Sequence, residues 1–530
     1  MSSETQLDTA TTAGSGTQVG TTAAAGSETQ LAATTTSGSE TQVGTTAAAG
    51  SVSQAQLSKS GSLGIMAGLQ ICILLCAMDQ TVLNTAIPRI ATALGGFDRS
   101  MSIITSYLLF STVATPIAGK LSDMFGAKSV LVVVTALFTL ASGLCALAGM
   151  QPSVLGLDAM NQLIAMRALQ GIAGGAMIGL CFVAIGEFFV LKDRGKLQGL
   201  LAASFVVAAL IGPVLGGWLV DASTWRMIFY LNIPPGILAC LCFKYCLQDS
   251  TRPRVPSTID IKGILTLILS IFPLIVAAGE IGTKGQFDIL SASLAALSLA
   301  MFCVFIWCEK AAKEPLIPLI LFHDRIVAVS LLTVFVSGIG LFGSTLLLSV
   351  TLQRVLNVSA LLSGLYLTPV MIAVAAASVC SGFLIGRTGK YKQILLAGLM
   401  LMSAGSFLLS KIEPQSGPWL LIAYAAIGGI GMGFILPVHT IAVQSIVSAR
   451  MMGVGTSMTQ FFRSLGGTVG TGIMSALMVC LIKQSSLSIA ISEMFVLYGI
   501  AMLSLFMVNI FIPEASLKAR KLPESERSFT

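Results

Sequence analysis

The sequence predicts an all-α integral membrane protein with fourteen spanning helices, and three observations predict it. Only 10% of the 530 residues are charged and the mean hydropathy is +0.89, where a soluble domain carries about 25% charged residues. Runs free of Asp, Glu, Lys and Arg recur fourteen times after residue 60, most of them close to the ~20 residues a helix needs to cross a bilayer. The basic residues alternate between crowded and sparse connections, as membrane insertion requires. No room is left for a soluble core, so a soluble enzyme and a nucleic-acid-binding protein are both disfavoured.

Residues 1–60 come first, a 12-residue repeat of Thr, Ala, Gly, Ser and Gln, visible when Gly14-Ser15-Gly16-Thr17-Gln18 is set over Gly26-Ser27-Glu28-Thr29-Gln30 and Gly38-Ser39-Glu40-Thr41-Gln42. Such a repeat has no apolar face to bury and reads as a disordered tail. It lacks the basic start and following apolar stretch of a cleaved signal peptide, so the first span is expected to act as the insertion signal. The charge-free runs then fall within 60–78, 100–119, 129–150, 159–186, 197–220, 227–243, 263–279, 289–308, 326–353, 355–386, 393–410, 414–449, 451–482 and 494–513. Only the fourth and the thirteenth are interrupted by a charge, Arg167 and Arg463.

With the N-terminus placed inside, 21 of the 30 Lys and Arg lie in the tails and inner loops. The outer loops hold 7, namely Arg89, Arg99, Arg226, Lys284, Arg354, Lys411 and Lys483. This threefold excess predicts cytoplasmic N- and C-termini in a cell (inner or plasma) membrane. It also accounts for the net charge of +7 without a nucleic-acid partner. The eleven cysteines are scattered, and the closest cluster, Cys240, Cys242 and Cys246, has no neighbouring His or carboxylate, so neither a disulfide framework nor a metal site is expected. None of the pairs Gly119-Lys120, Gly195-Lys196 and Gly389-Lys390 is followed by Ser or Thr. No ATP-binding loop and no cofactor are therefore expected.

Ionisable groups at membrane depth are costly, about 2.5–3.5 kcal/mol on insertion scales, and so are functional candidates by default. Asp79 follows the apolar run Ile71 to Met78 and opens the polar stripe Asp79-Gln80-Thr81-Val82-Leu83-Asn84-Thr85-Ala86-Ile87-Pro88. A carboxylate facing a cavity there would bind a proton or a cation in turn; the alternative is a carboxylate at the water interface bracing a neighbouring helix. Arg167, followed by Gln170 and Gly171, keeps its charge and so must face polar groups or water. It is expected either to set the behaviour of a nearby acid or to hold backbone carbonyls. Arg463 stands only about two turns into its span, which favours snorkelling or a lipid-headgroup contact. In the fifth span, Gly199 and Gly212-Pro213-Val214-Leu215-Gly216-Gly217 suit either a moving contact between bundles or tight static packing. The stretch Gly119-Lys120-Leu121-Ser122-Asp123-Met124-Phe125-Gly126-Ala127-Lys128 reads as a loop whose Asp123 caps or bridges to a helix end.

Taken in order, five elements resemble the fourteen-span drug:proton antiporters of the major facilitator superfamily: Asp79 to Pro88, Gly119 to Lys128, Arg167-Ala168-Leu169-Gln170-Gly171, Gly212-Pro213-x-x-Gly216-Gly217, and Trp225 to Pro234. The likeness covers residues 60–515, and Gly382-Phe383-Leu384-Ile385-Gly386-Arg387-Thr388-Gly389-Lys390 repeats the glycine spacing of 119–126. The resemblance implies a tail at 1–60, six-helix bundles at 61–246 and 326–513, a linker at 247–325 carrying two inserted helices, and a second tail at 514–530. Met124 and Ala127 stand where that family has basic residues. The late spans offer His439 and no second acid, so divalent organic cations are not expected as substrates.

What the resemblance implies for function is a monomeric, proton-coupled multidrug efflux antiporter, in which Asp79 carries the proton and Arg167 tunes it. Gly119, Asp123, Gly126, Gly212, Pro213, Gly216 and Gly217 would serve the conformational cycle, and Asn84, Gln170, Arg463 and His439 would contact or support a small-molecule substrate. The alternative is a proton-coupled importer of a small metabolite. A membrane enzyme would need clustered ligands, and the two histidines, His323 and His439, are far apart in the chain.

Overall fold

The computed structural model of the chain describes residues 59–513 except 96–98, 100–101, 151–155, 248–257, 259, 285–287 and 483–485. The repeat tail up to residue 58 and residues 514–530 lie outside the described residues. The described residues form helices and connections, without strands. In order they are α1 (Lys59–Leu94), α2 (Ser102–Phe125), α3 (Ala127–Leu147), α4 (Ala159–Phe188), α5 (Leu191–Ala222), the short α6 (Met227–Tyr230), α7 (Ile233–Cys246), α8 (Ile261–Lys284) and α9 (Ile289–Ala311). They continue with α10 (Arg325–Val350), α11 (Ala360–Thr388), α12 (Lys392–Leu409), α13 (Pro418–Ile446), α14 (Met452–Ile482) and α15 (Leu487–Ile510).

Among the described residues, thirteen segments are long and apolar enough to cross a membrane, with α6 and α7 making one of them. The span expected at 451–482 is α14, 31 residues long but not among the thirteen. Its first half carries Thr456, Ser457, Thr459 and Gln460, all buried. That half is polar because other helices enclose it, so its side chains find protein partners instead of lipid.

Helix α1 carries the polar stripe that Asp79 opens and continues to Leu94, since a carboxylate that is paired inside the protein need not end a helix. One boundary differs from expectation. The stretch Gly119 to Lys128, expected as a loop, is helical on both sides of Gly126: α2 runs to Phe125 and α3 starts at Ala127. Gly126 alone makes the break, with φ 86°, a backbone conformation that other residues rarely adopt. Gly389 repeats it after α11 with φ 69°.

The helices pack in a repeating scheme. Helix α2 lies on α4, α1 on α5, and α3 on α4 and α7; correspondingly α11 lies on α13, α10 on α14, and α12 on α13 and α15. The two sets meet where α5 crosses α11 and α2 crosses α14. Helices α8 and α9 pair as a hairpin, and α8 leans on α14 and α2. Leu267, Ile271 and Phe305 of the hairpin join Leu109, Leu331, Met458 and Phe461 in one apolar cluster. Outward-facing side chains are apolar and large, among them Leu140, Trp307 and Ile289, which are 66%, 70% and 89% exposed; such a surface suits a lipid solvent. Helix starts are capped by Asp158, Asp288, Asp324, Ser359 and Ser486, whose side chains accept otherwise unpaired backbone N–H groups.

Candidate functional site

Asp79 stands near the middle of α1 and is 1% exposed. Its Oδ2 accepts from Arg167 Nη1 at 2.6 Å, and its Oδ1 accepts from Gln170 Nε2 and Asn232 Nδ2, each at 3.0 Å. Arg167 and Gln170 are three residues apart on one face of α4, and Arg167 Nη1 also donates to Gln170 Oε1 at 2.7 Å. Asn232, between α6 and α7, donates to Ser142 Oγ of α3 at 3.0 Å, and Ser142 donates to the carbonyl of Phe229 at 2.9 Å. Tyr107 of α2 lays its ring against the guanidinium, 4.4 Å from ring centroid to Cζ. The α4 glycines make this approach possible. A Cβ on Gly171 would lie 2.9 Å from Tyr107 Cα, and one on Gly174 would collide with the Tyr107 hydroxyl. Arg167 Nε has no hydrogen-bond partner among the described residues.

The arrangement is one buried ion pair held by amides from two further chain positions. Arg167 is held independently of Asp79 by Gln170 Oε1 and the Tyr107 ring. Asp79, Arg167 and Gln170, singled out in the sequence, meet here together with Asn232, Ser142 and Tyr107, which the sequence reading misses. Asn232 has a sequence signal, being the only amide in Trp225 to Pro234. Ser142 and Tyr107 have none, since hydroxyls are common in spans. The Asn84 and Pro213 side chains lie outside the described residues.

A second cluster closes one end of the bundle. Asp123, at the end of α2, accepts from the backbone N–H groups of Gly453 at 2.7 Å and Val454 at 2.9 Å, at the start of α14. The same crossing is tight: a Cβ on Gly119 would lie 2.7 Å from the Gly453 carbonyl and would also strike Ser457 Oγ. On the other side of the interface Gly195 of α5 meets Gly382 of α11, where a Cβ on Gly195 would lie 2.9 Å from the Gly382 carbonyl. Between the crossings Gln198 donates to Gln444 at 3.0 Å, and Gln444 to the Phe182 carbonyl at 3.1 Å. In the repeated stretch the position of Asp123 is taken by Gly386, so the carboxylate that caps α14 has no counterpart at the matching position of α11.

In α5 the glycines differ from one another. A Cβ on Gly212 would lie 2.8 Å from Thr81 Cβ of α1, and Thr81 Oγ1 donates to the Ala208 carbonyl at 3.2 Å. Gly216 is buried, whereas a Cβ on Gly217 would meet nothing within 4 Å. Arg463 does not snorkel. Its Nη1 donates to Gln460 Oε1 at 3.1 Å and its Nη2 to the Leu436 carbonyl of α13 at 3.3 Å, because the first half of α14 faces other helices. His439 is fully buried, and neither ring nitrogen has a hydrogen-bond partner among the described residues.

Residues 69–471 match the sequence profile of the Major Facilitator Superfamily. The multidrug transporter protein MdtP of Bacillus subtilis is 37% identical over 415 residues, 78% of this chain and 75% of that one. Multidrug resistance protein 3 of the same organism is 32% identical over 412 residues, 77% of this chain and 78% of that one. Among solved structures, the proton:xylose symporter XylE superposes with a TM-score of 0.61 at 15% identity, covering 87% of this chain and 98% of that one. At that identity the likeness speaks for the fold.

Proposed function

Because the chain belongs to the major facilitator superfamily, a family of transporters, we propose that it is a proton-coupled exporter of lipophilic small molecules that works by alternating access. The observation that carries the coupling is the buried Asp79–Arg167 pair with its amide partners Gln170 and Asn232. The kinship with two Bacillus multidrug transporters supports export of drug-like molecules.

In this reading both termini face the cytoplasm, so the end sealed by Asp123 and the two glycine crossings is the cytoplasmic end. Asp79 takes a proton from outside and loosens its hold on Arg167, which stays anchored by Gln170 Oε1 and the Tyr107 ring. The crossings α2–α14 and α5–α11 then part, with Gly119 at the contact that shifts and Gly126 at the turn beside it, and the contact of Gly212 with Thr81 of α1 shifts with them. Substrate enters from the cytoplasm as the proton leaves and Asp79 recovers its salt bridge. A buried pair of this kind is costly to break on one side only, about 3–5 kcal/mol, which ties the proton to the conformational change. Arg463, His439, Gln460 and Asn84 belong, in the same reading, to the substrate path or its support. The only chemistry required is proton exchange, and no catalytic activity is indicated.

The test is uptake of a drug panel into everted vesicles or proteoliposomes under an imposed pH gradient. Accumulation that collapses with an uncoupler is expected. Substrate movement in the opposite direction, with protons entering alongside, would replace export by the importer reading.

A further inference from the structure

The α8–α9 hairpin holds two buried carboxyl oxygens that face a common space. Asp260 precedes α8, and its Oδ1 accepts from Gly263 N at 2.9 Å; its Oδ2 is buried without a partner among the described residues. Glu309, near the end of α9, is 2% exposed. Its Oε2 accepts from Ile317 N at 3.1 Å, and its Oε1 is likewise buried and unpartnered among the described residues. The two free oxygens converge over Gly263, where a Cβ would lie 2.6 Å from Asp260 Oδ2 and 2.7 Å from Glu309 Oε1. Two ionised carboxylates in that position repel, and both free oxygens lack a donor where water does not reach. A proton on one of them removes that repulsion and leaves a single charge in the space.

We propose that Glu309, facing the Asp260 carboxylate over Gly263, is a second proton-binding site, distinct from Asp79. The charged groups around it are few. From α2, Lys120 Nζ approaches Glu314 Oε2 at 4.0 Å, and Glu314 accepts from Thr258 N at 2.6 Å. Lys262 and Lys310 on the hairpin itself are exposed. Asp123 of α2 is engaged with the start of α14, and Arg463 of α14 with Gln460 and α13. Loss of that proton would set two like charges against each other and drive the first turn of α8 from the last turn of α9. Since α8 packs on both α2 and α14, that movement bears directly on the crossing of Gly119 and Gly453. The site stands whatever the protein transports and in whichever direction.

Infrared difference spectra of the purified full-length protein, taken between mildly acid and mildly alkaline buffer, test this. The expected result is a carboxylic acid C=O band that is lost on alkalinisation in the wild type. It should be absent from Glu309→Gln and from Asp260→Asn, and present in Asp79→Asn. Asn at 260 retains a capping oxygen and Gln at 309 retains an acceptor for Ile317, so both variants should elute as monodisperse protein; if one fails to fold, the other decides. A wild type without the band, or a band that survives in a folded variant of the pair, overturns the proposal. So does a band abolished by added sodium or calcium and restored on its removal, which would make the pair a cation site.

Discussion

Asp79 accepts from three donors on two other parts of the chain, so a change there acts on both stability and coupling. Asp79→Asn should abolish uphill efflux while the protein still inserts, and its unfolding temperature should fall, because Arg167 is left buried without its counter-charge at a cost of about 3–5 kcal/mol. Pairing the change with Arg167→Gln should recover part of the stability and none of the transport. Proton-driven transport at the normal rate by Asp79→Asn would remove that residue from the coupling role. Arg167→Lys keeps the charge and loses the planar fork that reaches Asp79 and Gln170 through one nitrogen while stacking on Tyr107. Its transport rate should drop at least tenfold, about 1.4 kcal/mol in barrier terms, at unchanged membrane insertion. Wild-type transport by Arg167→Ala would mark the arginine as dispensable. The residue scale also bounds what the sequence could say: Asp79 and Arg167 stand out as charges in apolar runs, but their 88-residue separation carries no sign that they touch.

Elements bring a different kind of test, because helix crossings are built from glycine and a single N-terminus. Asp123 serves two backbone N–H groups of α14, so Asp123→Ala removes a cap worth about 0.5–2 kcal/mol from the closed end only. Labelling of an engineered cysteine at the α2–α14 crossing should become faster in this variant, while overall unfolding changes little. Equal labelling in both proteins would show that the cap does not hold that end closed. In α5 the glycines separate packing from open space. Gly212→Leu would thrust a side chain into Thr81 and should slow uphill efflux even in protein that folds and binds substrate, whereas Gly217→Ala meets open space and should transport normally. Gly216→Leu, on the face shared with Gly212 and buried, should resemble Gly212→Leu. Loss of binding and efflux in step with misfolding would mean inert packing, and unimpaired efflux would mean neither role. Gly212 and Gly216 are visible in the sequence as small residues four apart, yet the helix that meets Gly212, α1, is not.

For the molecule as a whole, the repeat tail is the part that helix packing has least need of, since its repeat offers no apolar face. Deletion of residues 1–58 should leave transport per inserted molecule unchanged, measured against surface expression. A lower turnover at equal expression would give the tail a part in the cycle. The α8–α9 hairpin differs in this respect: Leu267, Ile271 and Phe305 bury themselves against α2, α10 and α14 residues, so it is bound into the bundle.

The apolar runs, the charge bias of their connections and the glycine stretches are legible because they are local properties: lipid forces backbone groups to pair within a helix, and composition alone then marks thirteen spans among the described residues. The same locality misleads where a charge is satisfied from elsewhere. In the linear chain Gly119 to Lys128 reads as a loop and Arg463 as a residue reaching for lipid, whereas partners on α14 and α13 hold both regions inside the protein. The polar first half of α14 is the same effect on a larger scale. Linear sequence determined which segments are hydrophobic enough to enter a bilayer; only the tertiary structure decided which polar groups meet within it, because that depends on distances between helices that no local pattern encodes.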